Sequence, residues 1–212
     1  MPDDAIPINP PLLPGPLLIV WAILLGLAMV LGLGLGAESV DYPTPFLIAH
    51  VYRLLVGAEL FVLLVVVPCV GDGSGGRPRV GLLGLVALWA MGVPVAVIAS
   101  WAADCDTASA AASQGYVALA AAFVAGYLRA DRESRWRPAY WLLVAALGAG
   151  APILAFLVGD LMRAELTWLY ACSPFWVADR LCQGWAFGWD WVVPSGVLAL
   201  LAGLFGLMPR ES

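Results

Sequence analysis

The sequence contains no lysine and few charged residues of any kind. Charged residues make up 12% of its 212 residues and apolar residues 62%, whereas a typical soluble domain is about 25% charged and about 45–50% apolar. The formal net charge is −5, and no basic patch of the kind that nucleic acid requires is present. The composition therefore excludes nucleic acid as a partner and indicates that lipid is the main solvent of this chain.

Histidine and cysteine are also scarce, which restricts metal and cofactor chemistry. His50 is the only histidine, so the chain alone cannot supply the histidine pair that usually holds a membrane haem, or a histidine cluster for copper or zinc. The four cysteines form no CxxC motif, which excludes a zinc knuckle and a thioredoxin-like site. No nucleophile elbow, Walker sequence or HExxH motif occurs. We predict no metal and no cofactor, and these absences disfavour an enzyme with a standard signature.

Long apolar runs dominate what is present. A helix that crosses a bilayer needs about 20 mostly apolar residues, and six stretches qualify: 17–36, 45–70, 80–103, 113–129, 140–159 and 191–208. The stretch 113–129 is the weakest, because its many alanines are only mildly apolar. The N-terminal run lacks the basic residues that begin a secretory signal peptide, so we expect the first stretch to be a true span. The sequence predicts an all-α fold, a single transmembrane domain over 1–212 with about six helices.

The placement of arginines predicts the orientation of the chain. With six spans, one side of the membrane receives both termini and the segments 71–79 and 129–138, which together carry seven arginines. The loops on the other side, 37–44, 104–112 and 160–190, carry two, Arg163 and Arg180, and Arg53 lies just inside a span on that side. Since basic residues are retained on the cytoplasmic side, we expect both ends to lie in the cytoplasm, in a bacterial inner membrane. The tryptophans within 160–190 suggest a connection that re-enters or lies on the membrane surface.

Glu59 is the sharpest candidate site residue. It lies near the middle of the second predicted span, where a carboxylate costs a few kcal/mol unless it is paired or protonated. One interpretation is a proton or substrate site that faces the bundle interior; the other is a hydrogen-bonded acid that fixes helix packing. His50 and Arg53 share a face one turn apart near the external end of the same helix. They are candidates for the same pathway, or else Arg53 reaches the headgroups and His50 is interfacial.

Cysteines on the predicted external side could form a disulfide. Cys172 and Cys182 bracket a nine-residue segment of the loop 160–190, and a bond between them is plausible in an oxidising compartment. Free buried thiols are equally compatible with the sequence, and Cys105 could replace either partner.

The whole layout resembles the permease subunits of six-span ABC exporters. Those subunits also have both ends inside, and short half-helices dip into the membrane before the last span. Here the segment Cys172-Ser173-Pro174-Phe175-Trp176 would suit such a break. The chain departs from that family at PINPPLLPGP, where an amphipathic helix is expected, and at the short first cytoplasmic loop GDGSGGRPR. The resemblance implies an ATPase partner, docked mainly on Arg129, Arg132, Arg135 and Arg137.

Two other functions fit the same sequence. A structural or anchoring subunit of a larger membrane complex, for example a respiratory one, would need short loops and no catalytic residues of its own. A lipid-modifying enzyme with Glu59 as base ranks last, because the sequence pattern places no second polar group on a span beside Glu59. We therefore predict a membrane transport component that contacts lipids and other protein subunits.

Overall fold

The structure, a computed structural model, describes residues 15–37, 45–71, 82–131, 135–162, 167–184 and 189–207. All regular structure in these ranges is helical, which confirms the all-α prediction. Two π-helical segments, Val62–Val66 and Ala146–Gly150, each continue one α-helix into the next. The α-helices are α1 (Gly15–Ala37), α2 (Pro45–Phe61), α3 (Val67–Gly71), α4 (Leu82–Ala102), α5 (Thr107–Ala130), α6 (Arg137–Ala145), α7 (Ala151–Met162), α8 (Thr167–Ala171), α9 (Pro174–Cys182) and α10 (Trp189–Leu207).

Four of the described helical stretches are long and apolar enough to cross a membrane: His50–Val70, Leu83–Ala102, Thr107–Ala130 and Arg137–Leu161. They correspond to the second, third, fourth and fifth predicted spans. The first and sixth predicted spans are represented by shorter apolar helical stretches, Gly15–Val30 and Val192–Leu201. The prediction of a helical membrane protein is thus confirmed for four spans by length and composition.

The weakest predicted span is a central helix of the bundle. Helix α5 begins at Thr107, because the Asp106 carboxylate caps it by accepting hydrogen bonds from the backbone N–H groups of Ala108 and Ser109 at 3.1 and 3.4 Å. The predicted loop 104–112 is therefore wrong over most of its length. Helix α5 packs against α2, α4, α9 and α10. Its many alanines contribute little to hydropathy. Their small side chains instead let the neighbouring helices approach closely.

Each π-helical segment has a backbone carbonyl that accepts a hydrogen bond from a side chain of another element. The Tyr140 hydroxyl donates to the Leu64 carbonyl at 2.7 Å, and Ser173 Oγ donates to the Gly148 carbonyl at 3.3 Å. A π segment interrupts the regular i→i−4 ladder, and a freed carbonyl at membrane depth needs another partner. The two side chains supply such partners and join the α6–α7 span to the rest of the protein at two levels.

The long connection 160–190, called the connector below, contains two short helices within its described part. Helix α8 ends at Ala171 and α9 begins at Pro174, whose fixed φ suits the first turn of a helix. Helix α9 packs against α2 and α5 through Val177, Ala178 and Leu181. The connection therefore covers one end of the bundle, and the break between its helices falls at the Cys172-Ser173-Pro174 sequence that the family resemblance singled out.

Candidate functional site

Glu59 lies wholly inside the helical bundle, with none of its surface exposed. It occupies α2 seven residues after Tyr52, which is about two helical turns, so both side chains share one face of the helix. That face contacts α5. The sequence prediction that Glu59 faces the protein interior agrees with this placement.

A chain of hydrogen bonds from two other helices ends on the Glu59 carboxyl group. Gln114 Nε2 on α5 donates to Glu59 Oε2 at 2.9 Å. The Trp89 indole N–H on α4 donates to Gln114 Oε1 at 3.2 Å. The amide of Gln114 is thereby held in one orientation, with its donor toward the acid. No ion pair to Glu59 is found among the described residues, so the partner of this buried acid is neutral.

Among the described residues, the second carboxyl oxygen of Glu59 has no hydrogen-bond partner. Glu59 Oε1 and the indole nitrogen of Trp21 on α1 are both buried without one. They lie around Gly92 of α4: a Cβ at that position would be 2.9 Å from Glu59 Oε1 and 3.0 Å from Trp21 Cζ2. A larger residue at this position would push against both side chains, so one of them would have to shift. The site thus joins α1, α2, α4 and α5. Within the described residues, the Glu59 Oε1 acceptor and the Trp21 indole N–H donor form no hydrogen bond.

A second polar group lies nearer the connector. The Tyr52 hydroxyl is 2.7 Å from Ser113 Oγ, and it donates to the Ala110 carbonyl at 3.1 Å. Both side chains are buried. Tyr52 and Gln114 are also close enough to interact. Hydroxyl and amide groups therefore continue from Glu59 toward the end of the bundle that α9 covers.

His50 and Arg53 lie at that end and contact each other, as their spacing predicts. The Arg53 side chain forms an ion pair with Asp179 of α9, and Arg53 Nη1 is 3.2 Å from His50 Nδ1. Gln183 donates to the other Asp179 oxygen at 2.7 Å. Arg53 thus pairs with an acid of the connector, while both the pathway role and the headgroup position predicted for Arg53 stay predictions.

All four cysteines are free thiols in the structure. Cys105 Sγ donates to the Cys182 carbonyl at 3.6 Å, and Cys172 Sγ donates to the Trp168 carbonyl at 3.6 Å. Burial raises the pKa of the Cys182 thiol to about 12, and burial also raises the pKa of Cys105. The disulfide between Cys172 and Cys182 stays a prediction, while Cys105 is the cysteine that contacts Cys182 here.

The predicted ATPase-docking arginines lie at the other end of α5. Arg129 is exposed in its last turn, Arg135 is exposed in the turn that follows, and Arg137 begins α6, whereas Arg132 lies outside the described residues. Asp131 shapes this turn: it accepts from the Tyr127 hydroxyl and from the Trp136 backbone N–H, each at 2.8 Å. Gly184 of the connector lies beside Ser109 in the first turn of α5, so the connector and this arginine segment are toward opposite ends of the helix.

The sequence interpretation missed most of the Glu59 site. It found no second polar group on a span, yet Gln114 is the only amide side chain within any predicted span, and that was a usable signal. Trp21, Trp89 and Gly92 gave none, because tryptophan and glycine are frequent throughout this chain. Only the packing of α1, α4 and α5 around α2 brings them together.

Comparison with protein-family models, with curated proteins and with solved structures gives no match. Among the described residues, no three His, Cys, Asp or Glu side chains are placed to hold a metal ion. The function is therefore argued from the geometry around Glu59.

Proposed function

We propose that this protein is an integral membrane transport component in which Glu59 binds and releases a proton. The observation that carries the proposal is a fully buried acid with a neutral amide on one oxygen and, in the part of the chain that the structure describes, no partner on the other. A charged carboxylate in such a place is costly, whereas the neutral acid is tolerated. Glu59 therefore rests protonated and becomes charged only when its surroundings open to water or to a cationic substrate.

The polar groups between Glu59 and the connector form the proton path. Gln114 Nε2 donates to Glu59 and holds the acid in place, so the proton itself leaves Glu59 on water that enters beside Tyr52 and Ser113, near the Arg53–Asp179 pair. Beyond Glu59, the π-helical segment that follows α2 begins with the buried apolar Val62, Leu63 and Leu64. The proton path thus has polar groups on the α9 side of Glu59 and apolar residues on the opposite side, so it opens toward α9.

The proposal includes the topology that the arginines predict. The chain crosses a bacterial inner membrane six times, with α1 as the first span, α10 as the sixth, and both ends in the cytoplasm. Placement of the arginine segment and the connector at opposite ends of α5 supports this orientation. A membrane-impermeant thiol reagent should then label Cys172 in intact cells. Labelling of the exposed Cys69, which this topology places on the cytoplasmic side, in intact cells would reverse the orientation.

Proton flux in liposomes tests the role of Glu59. Purified protein is reconstituted with an internal pH-sensitive dye, and a potassium diffusion potential drives protons inward. Wild-type protein should acidify the vesicles faster than protein-free liposomes, Glu59→Gln should not, and Asp160→Asn, which removes an exposed acid at the end of α7, should behave as wild type. Equal rates for Glu59→Gln and wild type would remove Glu59 from the path.

A permease subunit of an ABC-type exporter is the specific form of this proposal. The pair of short helices α8 and α9 before α10 supports it, because such half-helices precede the last span in that family. The ATPase partner would dock on the arginine segment at Arg129–Arg137. Mild-detergent purification of the tagged protein should then recover a nucleotide-binding subunit, and charge reversal at Arg129 and Arg135 should reduce that recovery.

An anchoring subunit of a larger complex is the second candidate, and one observation favours it. Only 11% of the apolar stretch of Arg137–Leu161 is buried inside the protein, against 50% for His50–Val70. A span with so little contact to its own bundle offers a face to a neighbouring subunit. Recovery of redox subunits without an ATPase in the same purification would favour this function over transport.

A further inference from the structure

A cavity of about 380 Å³ lies between α5, α10 and the α6–α7 span. Sites for small molecules have volumes of about 300–1,000 Å³, so this cavity is large enough for a ligand. Tyr116 and Phe123 form its α5 wall, and Cys172 and Pro174 close it at the connector. Glu59 is not among its lining residues, so the cavity is separate from the proton site.

The two side-chain hydrogen bonds to the π-helical segments lie on either side of the α6–α7 residues that line the cavity. Tyr140 ties the start of the α6–α7 span to the Leu64 carbonyl, and Ser173 ties its middle to the Gly148 carbonyl. Between these two ties, Leu143, Val144 and Leu147 line the cavity. The α6–α7 span is thus hydrogen-bonded to the rest of the protein at Tyr140 and at Gly148. The cavity lies beside the residues between these two points.

The lining is apolar and continues into the surface that faces lipid. Trp168, Val193 and Val197 line the cavity and are 62%, 58% and 50% exposed, so its mouth lies between the connector and α10. Its polar side-chain atoms are limited to Tyr116, Trp168 and Cys172. A bound water needs two to four polar partners, so water is a poor occupant.

We propose that this cavity binds one acyl chain of a bilayer phospholipid. The lipid belongs to the leaflet that adjoins α8 and α9, with its glycerol region beside Trp168, where an indole suits the membrane interface. The chain passes beneath Pro174 and ends near Phe123. An extended hydrocarbon matches both the apolar lining and the small cross-section, and the bilayer supplies it directly through the open mouth.

Native mass spectrometry of the detergent-purified protein tests this proposal. Wild-type protein should retain one phospholipid per chain after delipidating washes. Leu198→Trp fills the cavity and should lose the lipid, while Leu200→Trp adds the same bulk to the exposed face of α10 and should keep it. Wild-type protein without lipid, Leu198→Trp with lipid, or an isoprenoid in place of the phospholipid would each overturn the proposal.

Cysteine reactivity gives a second measurement that needs no variant. Cys172 lines the cavity, whereas Cys69 is exposed and does not. In delipidated wild-type protein, N-ethylmaleimide should modify Cys172. Phosphatidylethanolamine and phosphatidylglycerol, added as mixed micelles with the detergent, should slow that reaction several-fold. They should not slow the reaction at Cys69. Equal slowing at both thiols would indicate a general detergent effect and would contradict a lipid in this cavity.

Discussion

Arg53 and Asp179 are 126 residues apart in the sequence and form an ion pair that joins α2 to α9. Both side chains are largely covered, at 27% and 33% exposure. The pair lies above Tyr52 and Ser113, the outermost groups of the proposed proton path. The pair therefore links the connector to the helix that carries Glu59.

Removal of this ion pair should loosen the connector. Asp179→Asn keeps the shape of the side chain but removes the charge that Arg53 faces, so we expect a loss of roughly 1–2 kcal/mol in unfolding free energy. Thermal unfolding in detergent, followed by tryptophan fluorescence, measures this loss. Asp160→Asn removes an exposed charge and is the matched control. Equal unfolding temperatures for the two variants would contradict a stabilising role for the pair.

Alanine at position 92 should disturb the Glu59 site directly. The added Cβ would lie 2.9 Å from Glu59 Oε1 and 3.0 Å from Trp21 Cζ2, and such overpacking typically costs about 1–3 kcal/mol. We expect a lower unfolding temperature and slower proton flux for Gly92→Ala. Gly57→Ala on α2 adds the same methyl group where nothing lies within 4 Å. If the two variants behave alike, the close approach at Gly92 is not what organises the site.

The hydrogen bond from Tyr140 to the first π segment should contribute measurably to stability. Tyr140→Phe leaves the Leu64 carbonyl without this donor, and we expect a loss of about 1 kcal/mol or more. The ring itself should keep its stack on Tyr127, whose centroid is 4.0 Å away. Tyr170→Phe, on a half-buried ring stacked against Trp176, is the control in the same thermal assay. An unchanged Tyr140→Phe protein would show that the carbonyl finds another partner.

The reactivity of Cys182 should depend strongly on pH. Burial raises its pKa to about 12, so only about one thiol in 10⁴ is a thiolate at pH 8. Because the pKa is raised, its alkylation by iodoacetamide should keep rising about tenfold per pH unit from pH 7 to pH 10. A free cysteine, with a pKa of about 8.5, levels off above pH 9. Peptide mass spectrometry follows the modification, and a plateau near pH 9 would show that Cys182 is accessible to water.

The helical membrane fold was predictable because its signals are local. Runs of about 20 apolar residues appear directly in the sequence, and four of the six predicted spans meet the length and apolarity criteria in the structure. Helix α5 was harder to delimit, since its start depends on the cap that Asp106 provides and its alanines mark packing rather than lipid contact. The break at Cys172-Ser173-Pro174 was also predictable, because proline favours the start of a helix.

The sequence by itself determined that Glu59 must be accommodated inside a bundle, because a lone carboxylate facing lipid is too costly. Its partners were decided by tertiary structure alone. Gln114 is 55 residues away, and Gly92 and Trp21 reach the acid only because α1 and α4 pack on α2. The same holds for the Arg53–Asp179 pair and for the apolar cavity. Contacts between helices that are distant in sequence depend on the angle and the position at which the helices cross. The hydropathy of the sequence does not indicate either of these.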